Sequence, residues 1–364
     1  MDLSQRQERI LAELRLHGSL SATDFAERMQ ISAMTVRRDL GELAEQGLLR
    51  RVHGGAVAVE SGAPPASTHR PPPRSATGPI PVFDEPLFTF GFVVPDPHYY
   101  FPPIVAGAVE RVQALGGRLV LGISDYDAEK ERHQIDRLIQ AGVDGLLVTS
   151  SVSDAVPTFE QLLDSPVPVV VVERSLDDIP TASALDVVRT DHAAGATMAV
   201  RLFAALGHTR AGLVAFHSPT TPHLEAGFER AARYFGVDIS DAVIHIDEHT
   251  AVREQTVAAI ERCRATGATA VLVHSDRYAV EFVETALGMG LSIPGDLSIV
   301  SYDDELAALA AVPLTAVGPP KRDVGWMAAG MLFDRISSTP ERALASRHVA
   351  LRPNLVSRLS TAAP

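Results

Sequence analysis

Cysteine is almost missing from this sequence. Cys263 stands alone among 364 residues, so no disulfide can close within the chain. Its place in the helical phrase Ile260-Glu261-Arg262-Cys263 reads as a partly buried structural thiol. No hydrophobic run approaches the roughly 20 apolar residues of a membrane span. The opening residues, Met1-Asp2-Leu3-Ser4-Gln5-Arg6, lack the apolar core of a secretion signal. The expectation is a cytoplasmic protein with no membrane partner. Positive charge is scarce as well. A formal net charge of -13 argues against a generally basic nucleic-acid binder. There is no Gly-x-Ser-x-Gly elbow, no His-Glu-x-x-His pair and no phosphate loop ending in Gly-Lys. Those motifs carry nucleophilic, zinc and nucleotide chemistry, so no catalytic residue and no cofactor is expected. His245, Asp247, Glu248 and His249 are the densest set of possible metal ligands. Their spacing establishes no converging geometry, and no metal is expected there.

What is present is a soluble, globular composition, 46% hydrophobic and 21% charged. The length suits two or three domains. Residues 1–60 hold eight arginines, no lysine and nine acids, a net of -1 that leaves -12 to the remainder. Local patches therefore matter more than the total. One such patch is residues 32–55, SAMTVRRDLGELAEQGLLRRVHGG. Ser32 is a helix N-cap signal. Val36, Leu40 and Leu43 fall at i, i+4 and i+7, giving one apolar face. Thr35, Arg37 and Arg38 lie outside that stripe. Gly47 ends the helix, residues 48–52 read as a short strand, and Gly54-Gly55 as a tight turn. Upstream, helical patterns at 9–16 and 25–29 are separated by His17-Gly18-Ser19 and the cap Ser21-Ala22-Thr23-Asp24. Gln30-Ile31-Ser32 makes a short turn into the third helix. Helix, helix, turn, helix and hairpin is the order that sets a helix in the major groove and a wing on the backbone. Taken alone, the third helix reads equally well as an amphipathic helix with solvated arginines.

Residues 6–57 closely resemble the N-terminal domain of the DeoR family of bacterial regulators. The match rests on Glu8-Arg9-Ile10, Ile31-Ser32, Thr35-Val36-Arg37-Arg38-Asp39-Leu40, Gln46-Gly47 and Arg51-Val52-His53-Gly54-Gly55-Ala56. The resemblance implies a winged helix-turn-helix domain over 1–57. It would bind a double-stranded DNA operator through Ser32, Thr35, Arg37, Arg38, Arg50, Arg51 and His53.

Residues 58–86 change character. Gly62-Ala63-Pro64-Pro65, Pro71-Pro72-Pro73 and Pro79-Ile80-Pro81 leave little room for helix or paired strand, so this reads as a semi-rigid linker. Beyond it, strand and helix patterns alternate. Apolar strands are expected at 88–94, 118–122, 145–148, 167–172, 211–216, 242–246, 270–273 and 297–301. Helices are expected at 103–115, 128–140, 156–163, 193–206, 224–235, 252–265 and 279–288. Continuous apolar strands between amphipathic helices imply an α/β fold with parallel sheets covered on both faces. That much chain exceeds one sheet, so two lobes are expected, with a ligand beyond the carboxyl ends of the strands.

Residues 88–359 resemble the effector domain of the LacI/GalR family, itself similar to periplasmic sugar-binding proteins. The phrases carrying this are Phe92-Val93-Val94-Pro95-Asp96, Ala141-Gly142-Val143-Asp144-Gly145, Pro168-Val169-Val170, Leu206-Gly207-His208-Thr209-Arg210, and Gly290 to Ser298. Tyr302-Asp303-Asp304, Pro313-Leu314-Thr315 and Arg352 to Arg358 complete them. The fold implied is a winged helix-turn-helix domain followed by a two-lobed, periplasmic-binding-protein-like domain over 87–364. Lobe one would take about 87–189 and 319–346, and lobe two about 190–318 and 347–364. By position, the resemblance points to His98, Tyr100 and Phe101 after the first strand, where aromatic faces suit a sugar ring or base. Plain packing is the alternative. Glu173-Arg174 stands where relatives carry Asp-Arg, able to take neighbouring hydroxyls or to form a simple ion pair. Ser275 and Asp303 match ligand positions, although Asp303 also reads as a helix cap. Asp125 and Ser150 follow strands and are further candidates.

One departure is Leu224, where relatives carry an arginine three residues before the Gly227-Phe228 pair. A main donor for an anionic or heavily hydroxylated ligand is lost there, with His223 as a possible substitute. The Pro-rich stretch also replaces the short hinge helix of the LacI pattern. Together the resemblances imply a ligand-responsive bacterial transcriptional regulator, a repressor of carbohydrate or nucleoside genes with a small sugar-like effector. A homodimer joined through helices 105–115 and 128–140 is implied as well. The alternative is a sugar-binding sensor that acts through protein partners.

Overall fold

Val36, Leu40 and Leu43 recur at helical spacing, and all three are buried. They lie on helix α1, Ala33–Glu45. With Ile10, Leu14, Phe25, Leu49 and Ala56 they form the core of the N-terminal unit. Strand β1 is Ser19–Ser21, β2 is Leu49–Val52 and β3 is Gly55–Ala58, in the antiparallel order β1-β3-β2. Val52 pairs with Gly55, so β2 and β3 are the expected hairpin. The computed structural model describes residues 86–364 apart from 151–155, 177–178, 240–241, 248–250 and 339–343, together with 7, 10–11, 14, 19–21, 25–26, 29, 33–45, 48–52 and 55–58. Ser32, Gln46, Gly47 and His53, and residues 59–85 of the expected linker, lie outside the described residues. The chain divides into the units Met1–Thr77 and Gly78–Pro364.

The second unit holds two six-stranded sheets. The first lobe contains β4 (Thr89–Val94), α2 (Pro102–Ala114), β5 (Arg118–Ile123), α3 (Ala128–Gln140), β6 (Gly145–Val148), α4 (Val156–Leu163), β7 (Val169–Val172) and β8 (Asp186–Thr190). The second contains α5 (His192–Leu206), β9 (Ala211–Phe216), α6 (Thr221–Phe235), β10 (Val243–Ile246), α7 (Val252–Thr266), β11 (Ala270–Val273), α8 (Asp276–Gly288), β12 (Ser298–Tyr302) and β13 (Thr315–Gly318). The chain then returns through α9 (Lys321–Ile336) and β14 (His348–Leu351) to the first lobe, and ends with β15 (Asn354–Val356) in the second. The sheet orders are β14-β8-β7-β6-β4-β5 and β10-β9-β11-β12-β13-β15. Among the described residues of these two sheets, only the β13–β15 pair is antiparallel. The lobe boundary expected at 346–347 is corrected: β14 pairs with β8, so the last crossover falls between Leu351 and Asn354.

Apolar side chains fill both faces of each sheet. Helices α2 and α9 meet at backbone contact. A Cβ on Gly325 would lie 1.8 Å from the Ile104 carbonyl oxygen, and one on Gly107 2.0 Å from that of Arg322.

Buried Asp186 ties the returning segment to the first lobe. Arg335 donates Nε to Oδ2 at 2.7 Å and Nη2 to Oδ1 at 2.8 Å, and the Arg347 amide donates to Oδ1 at 2.6 Å. Burial pushes this carboxyl up, but the Arg335 and Arg347 donors outweigh it and hold it below its usual range. Asp186→Ala leaves the Arg335 guanidinium without its carboxylate and is expected to cost about 3 kcal/mol. Calorimetry should show melting several degrees lower; an unchanged transition would contradict this role.

Candidate functional site

In parallel sheets the carboxyl ends of the strands open into loops, and ligand groups gather there. Here those ends bring side chains from both lobes together. The loop after β4 carries Tyr99 and Tyr100, β7 leads to Glu173, and β8 ends at Thr190. In the second lobe, α5 begins with His192, β11 leads to His274 and Ser275, and β12 to Asp303. Lys321 opens α9.

Glu173 is the centre of one cluster. Its Oε1 accepts from Thr190 Oγ1 at 2.7 Å and from the Tyr100 hydroxyl at 3.4 Å. Its Oε2 accepts from the Thr190 amide at 3.1 Å and faces His192 Nε2 at 3.4 Å. His192 Nδ1 lies 3.0 Å from the Tyr302 hydroxyl. One tautomer serves both contacts: Nε2–H toward Glu173, with Nδ1 accepting from Tyr302. Burial alone raises the Glu173 carboxyl, but donors from His192 and Thr190 outweigh it and leave it lowered. A chain of contacts thus runs from the first lobe through His192 into the second.

Asp303 is the centre of the other. Its Oδ2 accepts from the Tyr99 hydroxyl at 3.2 Å, so Tyr99 crosses from one lobe to the other. Its backbone carbonyl accepts from Lys321 Nζ, and that ammonium lies 5.1 Å over the Tyr100 ring. Burial pushes the Asp303 carboxyl well above its ordinary range despite Lys321. Burial and the Asp303 charge raise the Tyr99 phenol. Glu173 and Asp303 sit at φ 56° and 107°. For residues with a side chain these are strained conformations, typically costing about 1–3 kcal/mol each and concentrated at functional sites.

His274 lines the second lobe's side. It stacks on Phe216 with centroids 4.7 Å apart, and burial pulls its imidazole down to about 3, so it is neutral. Its Nδ1 is one of the buried polar atoms without a partner among the described residues.

The sequence-derived candidates divide accordingly. Tyr100, Glu173 and Asp303 come together at this junction. Ser275 is buried beside it and helps lower the Tyr99 phenol by a hydrogen bond. Arg174 is turned to its own lobe, donating Nε to the Ser150 carbonyl and Nη1 to that of Glu173 at 2.7 Å. Ser150 is buried, with its hydroxyl on Glu131 at 2.8 Å. His223 is half-buried in the first turn of α6. Three expectations are corrected. Phe101 is a core residue, 4% exposed, packed with Phe90 and Ile104. Asp125 is exposed and pairs with Lys130 at 3.1 Å. His98 is exposed, and its amide donates to Asp96 at 2.8 Å. Sequence reasoning missed Tyr99, Thr190, His192 and Lys321. Leu224 is wholly buried in the core beside α5. Among the described residues no three His, Cys, Asp or Glu side chains form a metal cluster. His245 instead pairs with Glu225 at 2.5 Å, and Glu248 and His249 lie outside the described residues.

In the head, Thr35 is half-buried on α1. Arg37 and Arg38 lie on α1, and Arg50 and Arg51 on β2. The side chains of these four arginines are outside the described residues.

Comparison with known proteins separates the same two parts. A DeoR-like helix-turn-helix domain model matches residues 6–62, and a periplasmic binding protein-like domain model matches 200–361. A LacI family transcriptional regulator from Enterococcus faecium, solved with bound ribose, is 25% identical with a TM-score of 0.61. The match covers 76% of this chain and 99% of that one. The chain joins a DeoR-like head to a periplasmic-binding-protein-like domain that is similar to LacI family regulators. Head and effector domain are together similar to the arabinose metabolism transcriptional repressor of Geobacillus stearothermophilus. The two are 27% identical over 351 residues, 93% of this chain and 90% of that one. The ribose operon repressor of Haemophilus influenzae is 27% identical over 271 residues, covering 72% of this chain and 77% of its own. The regulator CcpA of Lactococcus lactis shares the effector-domain fold, with a TM-score of 0.64 at 22% identity over 75% of this chain and 99% of that one. Within the described residues, no helix is long and apolar enough to cross a membrane.

Proposed function

We propose that this chain is a ligand-responsive transcriptional repressor that binds an operator through its head and a small sugar-like molecule between its lobes. The observation that carries this reading is a buried polar junction built from both lobes, in one chain with a DeoR-like head. Its similarity to an arabinose repressor over 93% of its length supports the same reading.

The effector would lie against Tyr99, Tyr100, Glu173, Ser275, Asp303 and Lys321. Carboxylates accept from ring hydroxyls, and phenol faces cover C–H surfaces. Because these groups come from both lobes, ligand binding would favour one lobe arrangement over the other. In the head, Ser32, Thr35, Arg37 and Arg38 would meet the major groove, with Arg50, Arg51 and His53 on the backbone.

A thermal-shift screen of sugars, polyols and nucleosides tests the effector domain, since a ligand of the native state raises its melting temperature. Operator binding should weaken steeply with salt, as phosphate contacts release counterions. A protein that binds sugar but no DNA at low salt would instead be a sensor working through protein partners.

The operator is expected to be read by a homodimer, because one recognition helix spans only a few base pairs. Sedimentation at micromolar concentration should give twice the 38.9 kDa chain mass. A monomer with full operator affinity would refute the dimer.

A further inference from the structure

The turn that presents Asp303 is strained at successive positions. Asp303 has φ 107° and Asp304 φ 56°. Residues with side chains keep such conformations only where their surroundings hold them. The Asp303 amide donates to the Val317 carbonyl at 2.9 Å, and its own carbonyl accepts from Lys321 Nζ. Arg358 pairs with Asp304 at 2.7 Å, and Lys321 with Glu305 at 2.7 Å.

Asp276, with no exposed surface, grips the same turn from the start of α8. Its Oδ2 accepts the amides of Glu305, Leu306 and Ala307 at 2.6, 2.8 and 3.1 Å. These amides lead into the short 3-10 helix Ala307–Leu309. Amides that open a helical turn lack a carbonyl partner within it and favour a negative charge. Ser275, the cap of α8, bonds the Tyr99 phenol. One helix start therefore serves both partners of the Tyr99–Asp303 contact. The titratable groups facing the Asp303 carboxyl are Tyr99 and Tyr100 from the loop after β4, Tyr302 from β12, Asp276 from α8, Glu305 from its own turn and Lys321 from α9. Burial raises that carboxyl most, Lys321 opposes the rise, Asp276 and Glu305 add to it, and the Tyr99 hydrogen bond lowers it.

We infer that Asp276 is a positioning residue for the effector: it braces the strained turn and so sets how Asp303 meets a ring hydroxyl, without meeting the ligand itself. This deepens the proposed function and rests on its reading of Asp303.

The test is calorimetric titration of the full-length protein with L-arabinose, D-ribose, D-glucose and adenosine. Toward whichever of these binds the parent protein, Asp276→Ala should show an affinity at least ~10-fold weaker, within the range of couplings in one hydrogen-bond network. The loss should run through Asp303, so the double variant Asp276→Ala/Asp303→Ala should bind no more weakly than Asp303→Ala. Losses that add in the double variant, or unchanged affinity in Asp276→Ala, overturn the inference and leave the sugar-like reading intact. Binding by none of the four probes overturns that reading, and the inference with it. Asp276→Asn supplies the second measurement, and replaces the alanine variant if that one fails to fold. It keeps an oxygen for the amides and removes the charge. Affinity should still rise with pH, because Asp303 accepts a hydroxyl best when ionised, but the rise should end at a lower pH than in the parent protein. On an Asp303→Ala background the two profiles should coincide. A folded Asp276→Asn with the parent's pH profile would show that Asp276 does not act on Asp303, and would overturn the inference.

Discussion

Asp303→Ala is expected to bind the effector about 30-fold more weakly than the parent protein. That corresponds to roughly 2 kcal/mol, the value of a hydrogen bond to a charged group. The reasoning starts at the strand. β12 ends at Tyr302, and the chain turns at Asp303 with φ 107°, placing a buried carboxylate on Tyr99 of the other lobe. Without ligand this carboxyl sits well above its ordinary range because it is buried. Ring hydroxyls donating to it would stabilise the ionised form and lower that value. Effector binding should then release a proton, and affinity should rise with pH up to the raised value of the free protein. The same sign rule applies to folding. A carboxyl raised in the folded state costs stability as pH rises from the ordinary carboxylate range through the raised value. Asp303→Asn should therefore melt higher than the parent protein at pH 8, with the gain shrinking toward pH 4. Effector affinity that is unchanged in Asp303→Ala would show that Asp303 serves only the local turn.

Replacing Arg37 and Arg38 together with alanine is expected to remove specific operator binding. Each arginine contact to a base or phosphate is worth about 1–3 kcal/mol, so losing both should weaken binding at least ~30-fold. Neither residue belongs to the buried stripe of Val36, Leu40 and Leu43 on α1, so the core of the head should survive. The effector domain should keep its melting temperature and its response to sugar. Mobility-shift affinity equal to that of the parent protein would refute the assignment.

The extent to which sequence disclosed this structure varies with the physics of each element. Strands such as Ala211–Phe216 and Ala270–Val273 appear at their expected bounds, because strands buried on both faces are continuously apolar. Asp186–Thr190 and His348–Leu351 were not anticipated. The first begins with a buried ion-paired aspartate, and the second is an edge strand with alternating exposure, so neither presents an apolar run. Helix Lys321–Ile336 was also missed, since its apolar residues surround it too evenly to mark one face. At the site, Glu173 and Asp303 were legible because they follow apolar strands directly. His192 was not, since its role depends on a crossover bringing the start of α5 beside β7. Lys321 stands just after Pro319-Pro320, and only the returning chain places it at the Asp303 carbonyl. Phe101 and Asp125 share the favoured positions after strands, but side-chain direction sent one into the core and the other into solvent.

The central claim is that one chain couples sugar binding between the lobes to operator binding by the head. Fluorescence anisotropy measures this most directly, using a labelled duplex selected by the protein from a random pool. It is titrated with and without the sugar that most raises the melting temperature, at fixed salt. The account predicts an operator dissociation constant shifted at least ~10-fold by saturating sugar, a coupling within the usual range between linked sites, and no such shift in Asp303→Ala at the same sugar concentration. Identical operator curves with and without a sugar that demonstrably binds would contradict it.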